Sequence, residues 1–226
     1  MIDQINIKIF TDINRFAGES TLLDNIAIDI AEYSPYVFIA VLFYLWFSSR
    51  TDGKYSALVA GYSAIAGVLI NRFITLFYFH PRPFMLEIGT QLVYHVPESS
   101  FPSDHTTFML SIAAMLLYFR SSVVIGCLLF FLGLISGSSR IFCGVHLPVD
   151  IIGSVLVSLI ATYTVWGFRK RLRVINNLIV NVYFSVLFRM RIYTPIKHSV
   201  KDIEDDKNTL IESMDPVHSD PDKELV

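Results

Sequence analysis

Residues 55–79 read YSALVAGYSAIAGVLINRFITLFYF, an apolar stretch in which Arg72 is the only charged side chain. A helix rises about 1.5 Å per residue, so about 20 apolar residues cross the hydrocarbon core of a bilayer. Small residues recur along this stretch, among them Gly61 and Gly67, and such residues let helices pack closely in lipid. The stretch is therefore predicted to be a membrane-spanning helix within a bundle.

The composition of the whole chain agrees with a membrane protein. Of its 226 residues, 53% are hydrophobic and 17% are charged, and the mean hydropathy is +0.52. A soluble domain carries about 25% charged residues, so this chain has too few charges to cover a globule in water. The net charge of −2 gives no general attraction to polyanions. These values argue against an ordinary cytosolic enzyme, a disordered protein and a nucleic-acid partner.

More segments share the character of residues 55–79. They are predicted as further spans: 35–49 with a backward extension through Ile26, 104–119, 122–138 and 148–168. The predicted fold is all-α, a polytopic transmembrane helix bundle of five to six spans.

The rest of the chain divides by composition. Residues 1–20 are amphipathic and lack the continuous apolar region of a signal peptide, which predicts an interfacial helix. Residues 21–170 form the predicted membrane-embedded core, and residues 171–194 are left open between a sixth span and an interfacial helix. Residues 195–226 are predicted to be a disordered acidic tail, because nine acids and three Lys fall within 201–226.

Lysine and arginine are distributed unequally between the two sets of loops. The loops at 80–103 and 139–147 hold only Arg82 and Arg140 as Lys or Arg. The opposite loop ends hold Arg50, Lys54, Arg120, Arg169, Lys170, Arg171 and Arg173. The positive-inside rule places this second set in the cytoplasm, and so predicts that the two charge-poor loops and the N-terminus face outward.

A histidine and an aspartate lie four residues apart where the span at 148–168 begins. On a helix, His146 and Asp150 would share one face. The carboxylate would accept the Nδ1–H bond of the imidazole, leaving Nε2 free as a nucleophile or base. A helix-start carboxylate beside a structural histidine remains an alternative at this point.

The start of the span at 104–119 carries a second polar group. Ser103 suits an N-cap, and the free N–H groups of the first helical turn make an anion site. Capping accounts for Ser103 and Asp104, but not for His105 beside an apolar span. His105 is placed to donate a proton to a leaving oxygen.

Arg82 and Arg140 are fixed cations whose planar forks match phosphate oxygens. Anchoring to lipid headgroups is the alternative for each. Two Arg, two His, one Asp and a helix N-terminus together indicate phosphoryl transfer through a histidine. No metal-ligand cluster is evident, and the chemistry is expected to need neither metal nor cofactor.

Three motifs resemble those of a known family. Arg-Pro at 82–83, Pro-Ser-Asp-His at 102–105 and S-R-x5-H-x3-D at 139–150 are similar to the three signatures of the type-2 phosphatidic acid phosphatase superfamily. Within it, the chain most resembles the bacitracin-resistance-type undecaprenyl diphosphatases. The resemblance covers residues 20–170, and three motifs in order are more specific than any one alone.

The resemblance implies a role for each matched residue. His146 would be the nucleophile that forms a phosphohistidine, Asp150 would orient it, and His105 would protonate the leaving group. The phosphate would be held by Arg82, Arg140 and Ser103. The implied substrate is a polyprenyl diphosphate, hydrolysed at the outer face of a bacterial inner membrane among membrane lipids; the oligomeric state is left open.

The first two motifs depart from the family pattern. Thr75 stands where the family has Lys, seven positions before Arg82. Arg72, about one helical turn away, is a candidate phosphate ligand only if the helix end rearranges. Asp104 stands where many members have Gly, beside the phosphate site. We expect its carboxylate to point away from the phosphate or to bond a neighbouring donor, because it would otherwise repel the substrate.

Other functions remain open from the sequence. The same chemistry would serve phosphatidylglycerophosphate or phosphatidate, or a phosphotransferase that moves phosphate to lipid A. A non-catalytic transporter subunit or lipid-binding protein would also use Arg and His to bind lipid phosphate.

Overall fold

A computed structural model describes residues 2–48 and 51–190, and this part of the chain forms helices without a strand. The six α-helices are α1 (Ile2–Asn14), α2 (Thr21–Phe47), α3 (Thr51–Thr75), α4 (Asp104–Leu116), α5 (Val123–Phe142) and α6 (Pro148–Arg189). A short 3-10 helix covers Pro83–Leu86. The all-α prediction is confirmed, whereas the predicted disordered tail at 195–226 lies outside the described residues.

Helix α4 is the centre of the bundle. Every residue from Met109 to Leu116 is buried, and the helix packs against α3, α5 and α6. Its 13 residues extend about 20 Å, less than the roughly 30 Å of a hydrocarbon core. Four helices, α2, α3, α5 and α6, are long and apolar enough to cross a membrane. The predicted span at 104–119 is therefore shorter in the structure, where neighbouring helices and not lipid surround it.

Helix α6 is a single helix of 42 residues, about 63 Å long. No Gly or Pro lies between Phe168 and Arg189 to break it. As far as Arg189, the segment at 171–194 therefore continues α6 and neither turns back as a sixth span nor starts a separate helix.

Helix α1 packs across the end of the bundle near the start of α6. Phe10 is fully buried and forms a small core with Ile141, Leu147 and Ile151. The opposite side of α1 exposes further large apolar side chains, including Ile5 and Ile9. This pattern is typical of a helix that lies along a membrane surface, which is the location predicted for residues 1–20.

The topology brings the three motifs to one end of the bundle. There the backbone N–H of Leu92 donates to the carbonyl of Cys143 at 3.0 Å, which joins the two charge-poor loops. At the other end, the hydroxyls of Ser56 and Ser122 are 3.2 Å apart, and Trp166 packs on Tyr118. The basic loop ends thus collect opposite the motifs, as the charge distribution predicts.

Candidate active site

A cavity of about 150 Å³ lies where the two charge-poor loops meet. All three motifs contribute to it, together with the end of α3. Its walls are formed by Arg72, Thr75, Arg82, His95, Glu98, Ser99, Pro102, Asp104, His105 and His146. The structure therefore brings both predicted catalytic histidines to one cavity with two arginines.

The imidazole of His146 is held between a carboxylate and a guanidinium. Its Nδ1 lies 3.2 Å from Oδ2 of Asp150, and its Nε2 lies 3.4 Å from Nη1 of Arg82. An arginine can only donate and an ionised carboxylate can only accept. The pair of contacts therefore selects the neutral tautomer with the proton on Nδ1, in which the lone pair of Nε2 accepts from Arg82 at the wall of the cavity.

His146 lies in the loop between α5 and α6, and only 2% of its surface is exposed. Burial lowers the pKa of His146 to about 4, an effect that the hydrogen bond to Asp150 partly offsets. The positive charges of Arg140 and Arg82 also lower this pKa. The imidazole is consequently neutral at physiological pH, as a nucleophile requires.

Asp150 lies behind His146 and is fully buried. Its Oδ2 also accepts the backbone N–H of Leu147 at 2.8 Å, a contact at the start of α6. Its Oδ1 lies 3.0 Å from Nδ1 of His80 and 3.3 Å from the hydroxyl of Ser100. Asp150 thus both closes the helix start and contacts two histidines, of which the sequence motifs identify only His146.

Arg82 is buried beside His146. Its Nη1 donates to the carbonyl of Val145 at 2.9 Å, and its Nη2 donates to Glu98 at 3.3 Å. Its Nε is buried without a hydrogen-bond partner. Burial lowers the pKa of Arg82, although nearby carboxylates raise it. A buried guanidinium with an unused donor is suited to an anionic ligand.

Two predicted phosphate ligands do not line the cavity. Arg140 donates from Nη1 to the carbonyl of Ala31 on α2 at 3.1 Å, and its Nε is buried without a partner. Ser103 occupies the N-cap position of α4, but its side chain makes no capping bond. The Ser103 hydroxyl instead accepts from the hydroxyl of Thr106 at 3.2 Å.

Arg72 and Asp104 form an ion pair at the wall of the cavity. Nη2 of Arg72 lies 3.0 Å from Oδ2 of Asp104, and the amide of Asn71 donates to Oδ1 at 2.9 Å. Asp104 therefore bonds neighbouring donors, as expected from its charge. Arg72 lines the cavity from the last turn of α3, and its role as a phosphate ligand stays a prediction.

Residues 56–173 match the PAP2 superfamily, more than half of the chain. The chain belongs to the PAP2 superfamily. The resemblance inferred from the three motifs is thereby confirmed. Among curated PAP2-type relatives, Undecaprenyl-diphosphatase BcrC of Bacillus subtilis (strain 168) is 36% identical, over 82% of this chain and 95% of the relative. The Bacitracin transport permease protein BcrC of Bacillus licheniformis is 26% identical, over 78% of this chain and 86% of the relative.

A solved structure shares the architecture of this PAP2 chain. The crystal structure of Aquifex aeolicus LpxE has a TM-score of 0.62 and 25% identity, and the match covers 72% of this chain and 95% of that chain. The superfamily, the relatives and the apolar helices together support a multi-pass membrane protein and a lipid phosphatase. The non-catalytic alternatives are therefore set aside.

Proposed function

We propose that the protein hydrolyses undecaprenyl diphosphate to undecaprenyl phosphate and phosphate, and so recycles the carrier lipid of envelope synthesis. The relative at 36% identity supports the substrate. The observation that carries the chemistry is the position of His146, whose Nδ1 contacts Asp150 and whose Nε2 lies beside a guanidinium at a polar cavity. The charge distribution supports an active site on the outer face of a bacterial inner membrane.

In the first step, Nε2 of His146 attacks the terminal phosphorus. A P–N bond forms while the anhydride P–O bond breaks, and undecaprenyl phosphate leaves with the bonding electron pair. His105 supplies the proton to the leaving oxygen. The negative charge of the bound diphosphate favours the protonated form of His105, because opposite charges stabilise each other at short range.

In the second step, water attacks the phosphohistidine. His105, now neutral, takes a proton from the water as the P–N bond breaks, and phosphate leaves. Asp150 keeps its hydrogen bond to Nδ1 throughout, which balances the positive charge that the imidazole gains on phosphorylation. The cycle restores the neutral His146 and returns to His105 the proton that it donated in the first step.

The arginines neutralise the transferring group. Arg82 is already within 3.4 Å of the attacking nitrogen and has an unused Nε–H. Arg72 forms an ion pair with Asp104 at the cavity wall and takes the role of the family Lys there. Arg140 and Ser103 do not line the cavity, so Arg140 contributes the field of its buried positive charge and no direct contact. Fixed donors of this kind stabilise the charge of a phosphoryl transition state.

The decisive experiment is phosphate release from undecaprenyl diphosphate by the purified protein in detergent, with excess chelator. We expect chelator-resistant release that His146→Ala abolishes while the thermal unfolding midpoint stays near that of the wild type. Full activity in His146→Ala would refute the phosphohistidine route, and loss of activity with chelator would refute the metal-free mechanism.

A panel of lipid phosphates tests the substrate. We expect undecaprenyl diphosphate to give a higher kcat/KM than phosphatidylglycerophosphate or phosphatidate. Faster release from either of these, or transfer of phosphate to an added lipid A acceptor, would reassign the substrate and keep the histidine chemistry.

A further inference from the structure

We infer that His80 is a positioning residue of the reaction, which fixes the carboxylate of Asp150 so that its other oxygen faces His146. This inference rests on the proposed phosphohistidine chemistry. His80 is outside the motif residues to which the family resemblance gives a role, and it does not line the cavity. Its effect must therefore pass through Asp150 and not through a contact with the substrate.

The two oxygens of Asp150 have separate partners. Oδ1 lies 3.0 Å from Nδ1 of His80 and 3.3 Å from the hydroxyl of Ser100. Oδ2 lies 3.2 Å from Nδ1 of His146 and accepts the backbone N–H of Leu147. Because a carboxylate only accepts, both histidines donate from Nδ1. Donors on both oxygens hold the plane of the carboxylate, and hence the direction of the bond to His146.

The position of His80 is itself determined by the segment that precedes α4. The backbone N–H of His80 donates to the hydroxyl of Ser99 at 3.2 Å, and the backbone N–H of Ser100 donates to the carbonyl of His80 at 2.8 Å. The imidazole stacks on Tyr78 with ring centroids 6.0 Å apart, and meets the edge of Phe101 at 6.4 Å. Tyr78 and Phe101 also pack on each other, with ring centroids 5.6 Å apart. The Nδ1 of His80 lies 2.9 Å from the hydroxyl of Ser100 and 3.0 Å from Oδ1 of Asp150.

Removing the donor would disturb His146 without touching the substrate. Asp150 is fully buried, so after the loss of the His80 donor only the hydroxyl of Ser100, at 3.3 Å, remains as a donor to Oδ1. The carboxylate would then rotate towards the remaining donors or compete for the Nδ1 proton of His146. Either change misaligns Nε2 for attack, so the expected loss lies in kcat, with KM nearly unchanged.

Two substitutions separate the hydrogen bond from the packing of the ring. His80→Phe keeps the aromatic packing and removes the donor. His80→Asn removes the ring, but its amide nitrogen lies near the place of Nδ1 and keeps a donor. We expect His80→Phe to lower kcat about 10- to 100-fold, which is the range found when the hydrogen-bond partner of a metal-bound histidine is removed. We expect His80→Asn to recover most of that loss. A purely structural role predicts the reverse order.

A double-substitution experiment tests whether His80 acts on the reaction through Asp150. In an Asp150→Asn background, we expect His80→Phe to cause no further loss of kcat, because the group that it positions is already altered. An additive loss, or retention of full activity by His80→Phe in the wild-type background, overturns the inference.

Failure of the proposed function can be distinguished from failure of this inference. If the wild type prefers another lipid phosphate, the substrate assignment fails, and the same ranking of the His80 variants is measured on that lipid. If His146→Ala stays active, or the wild type hydrolyses no lipid phosphate, both proposals fall.

Discussion

His146 has two polar neighbours, and only one of them follows from spacing in the sequence. The i to i+4 relation to Asp150 predicts a shared helix face, whereas the structure places His146 in a loop and Asp150 near the start of α6. The predicted hydrogen bond forms nonetheless, at 3.2 Å. The contact with Arg82 joins residues 64 positions apart and depends on the folded bundle.

The pH dependence of the free enzyme follows from the burial of His146. Below its pKa the imidazole is protonated and has no lone pair at Nε2, so activity falls as the pH drops through that value. Because burial lowers the pKa to about 4, we expect the acidic limb of kcat/KM well below 6.5, the ordinary value for histidine. The profile is measured with saturating detergent and constant ionic strength. An acidic limb centred at 6.5 or higher would contradict the neutral, buried nucleophile.

Thr75 stands where the family motif has Lys, and Arg72 supplies a positive charge near that place. Arg72→Gln is expected to raise KM for the diphosphate substrate about tenfold with a smaller change in kcat, because a charged donor to the phosphate is lost. Arg120→Gln, at the opposite end of the bundle, is the matched control and should leave KM unchanged. Steady-state kinetics of both variants check this, and equal KM values would remove Arg72 from the site.

At the level of the helices, close packing between α3 and α4 depends on one glycine. A Cβ at Gly67 would lie 2.7 Å from the hydroxyl oxygen of Ser111 and 2.9 Å from a methyl carbon of Thr107. A Cβ at Gly61, on the same helix, would meet nothing within 4 Å. Only Gly67 is therefore required by the contact with the central helix.

Alanine substitutions at these two glycines are a matched pair. Gly67→Ala should destabilise the protein by about 1–3 kcal/mol through overpacking, and reduce activity because Thr107 lies two residues after His105 in the first turn of α4. Gly61→Ala should be neutral or slightly stabilising, since Ala favours a helix more than Gly does. Thermal unfolding in detergent measures both, and similar midpoints for the two variants would count against the packing argument.

Helices that would face lipid were predictable from the sequence, whereas the limits of a helix covered by other helices were less so. The long apolar runs of α2, α3 and α5 identify membrane helices directly. The short α4 is covered by other helices, so its limits depend on packing and not on bilayer thickness. The length of α6 was not predicted, because residues 171–194 were left open between a sixth span and an interfacial helix, whereas no Gly or Pro breaks the helix before Arg189.

For the molecule as a whole, α1 fastens the loops that carry the site. The amide of Asn14 donates to the carbonyls of Thr90 and Phe142 at 2.8 and 2.7 Å, and its oxygen accepts the N–H of Thr90 at 2.6 Å. The oxygen of Asn6 accepts the N–H of Val149 at 3.0 Å, at the start of α6. One helix thus connects both charge-poor loops to the element that carries Asp150.

Asn14→Ala should lower both stability and turnover. Asn14 is 1% exposed, and its removal leaves backbone groups in two loops without their partners, at a cost of about 2 kcal/mol. Gln4→Ala, on the exposed side of α1, is the control and should match the wild type. The thermal midpoint and kcat are measured together; a wild-type midpoint for Asn14→Ala would show that α1 does not secure the loops.

The candidate site was predictable as a set of motifs but not as a geometry. The motifs predicted that His146, His105 and Arg82 would lie together, and the structure places all three at one cavity. The bonding of Arg140 to a carbonyl of α2 and the contact of His80 with Asp150 join distant segments. Such pairs depend on how the helices pack, which a motif in one segment does not encode.

The position of α1 also bears on the order of synthesis. Phe10 and Asn14 leave the ribosome well before their partners at Thr90, Phe142 and Leu147. Until α5 and the start of α6 have been inserted, α1 lacks these partners, and the loops that form the cavity stay unfastened. Assembly of the site therefore waits for the start of α6, so a partly inserted chain would carry the first two motifs and lack a working phosphatase.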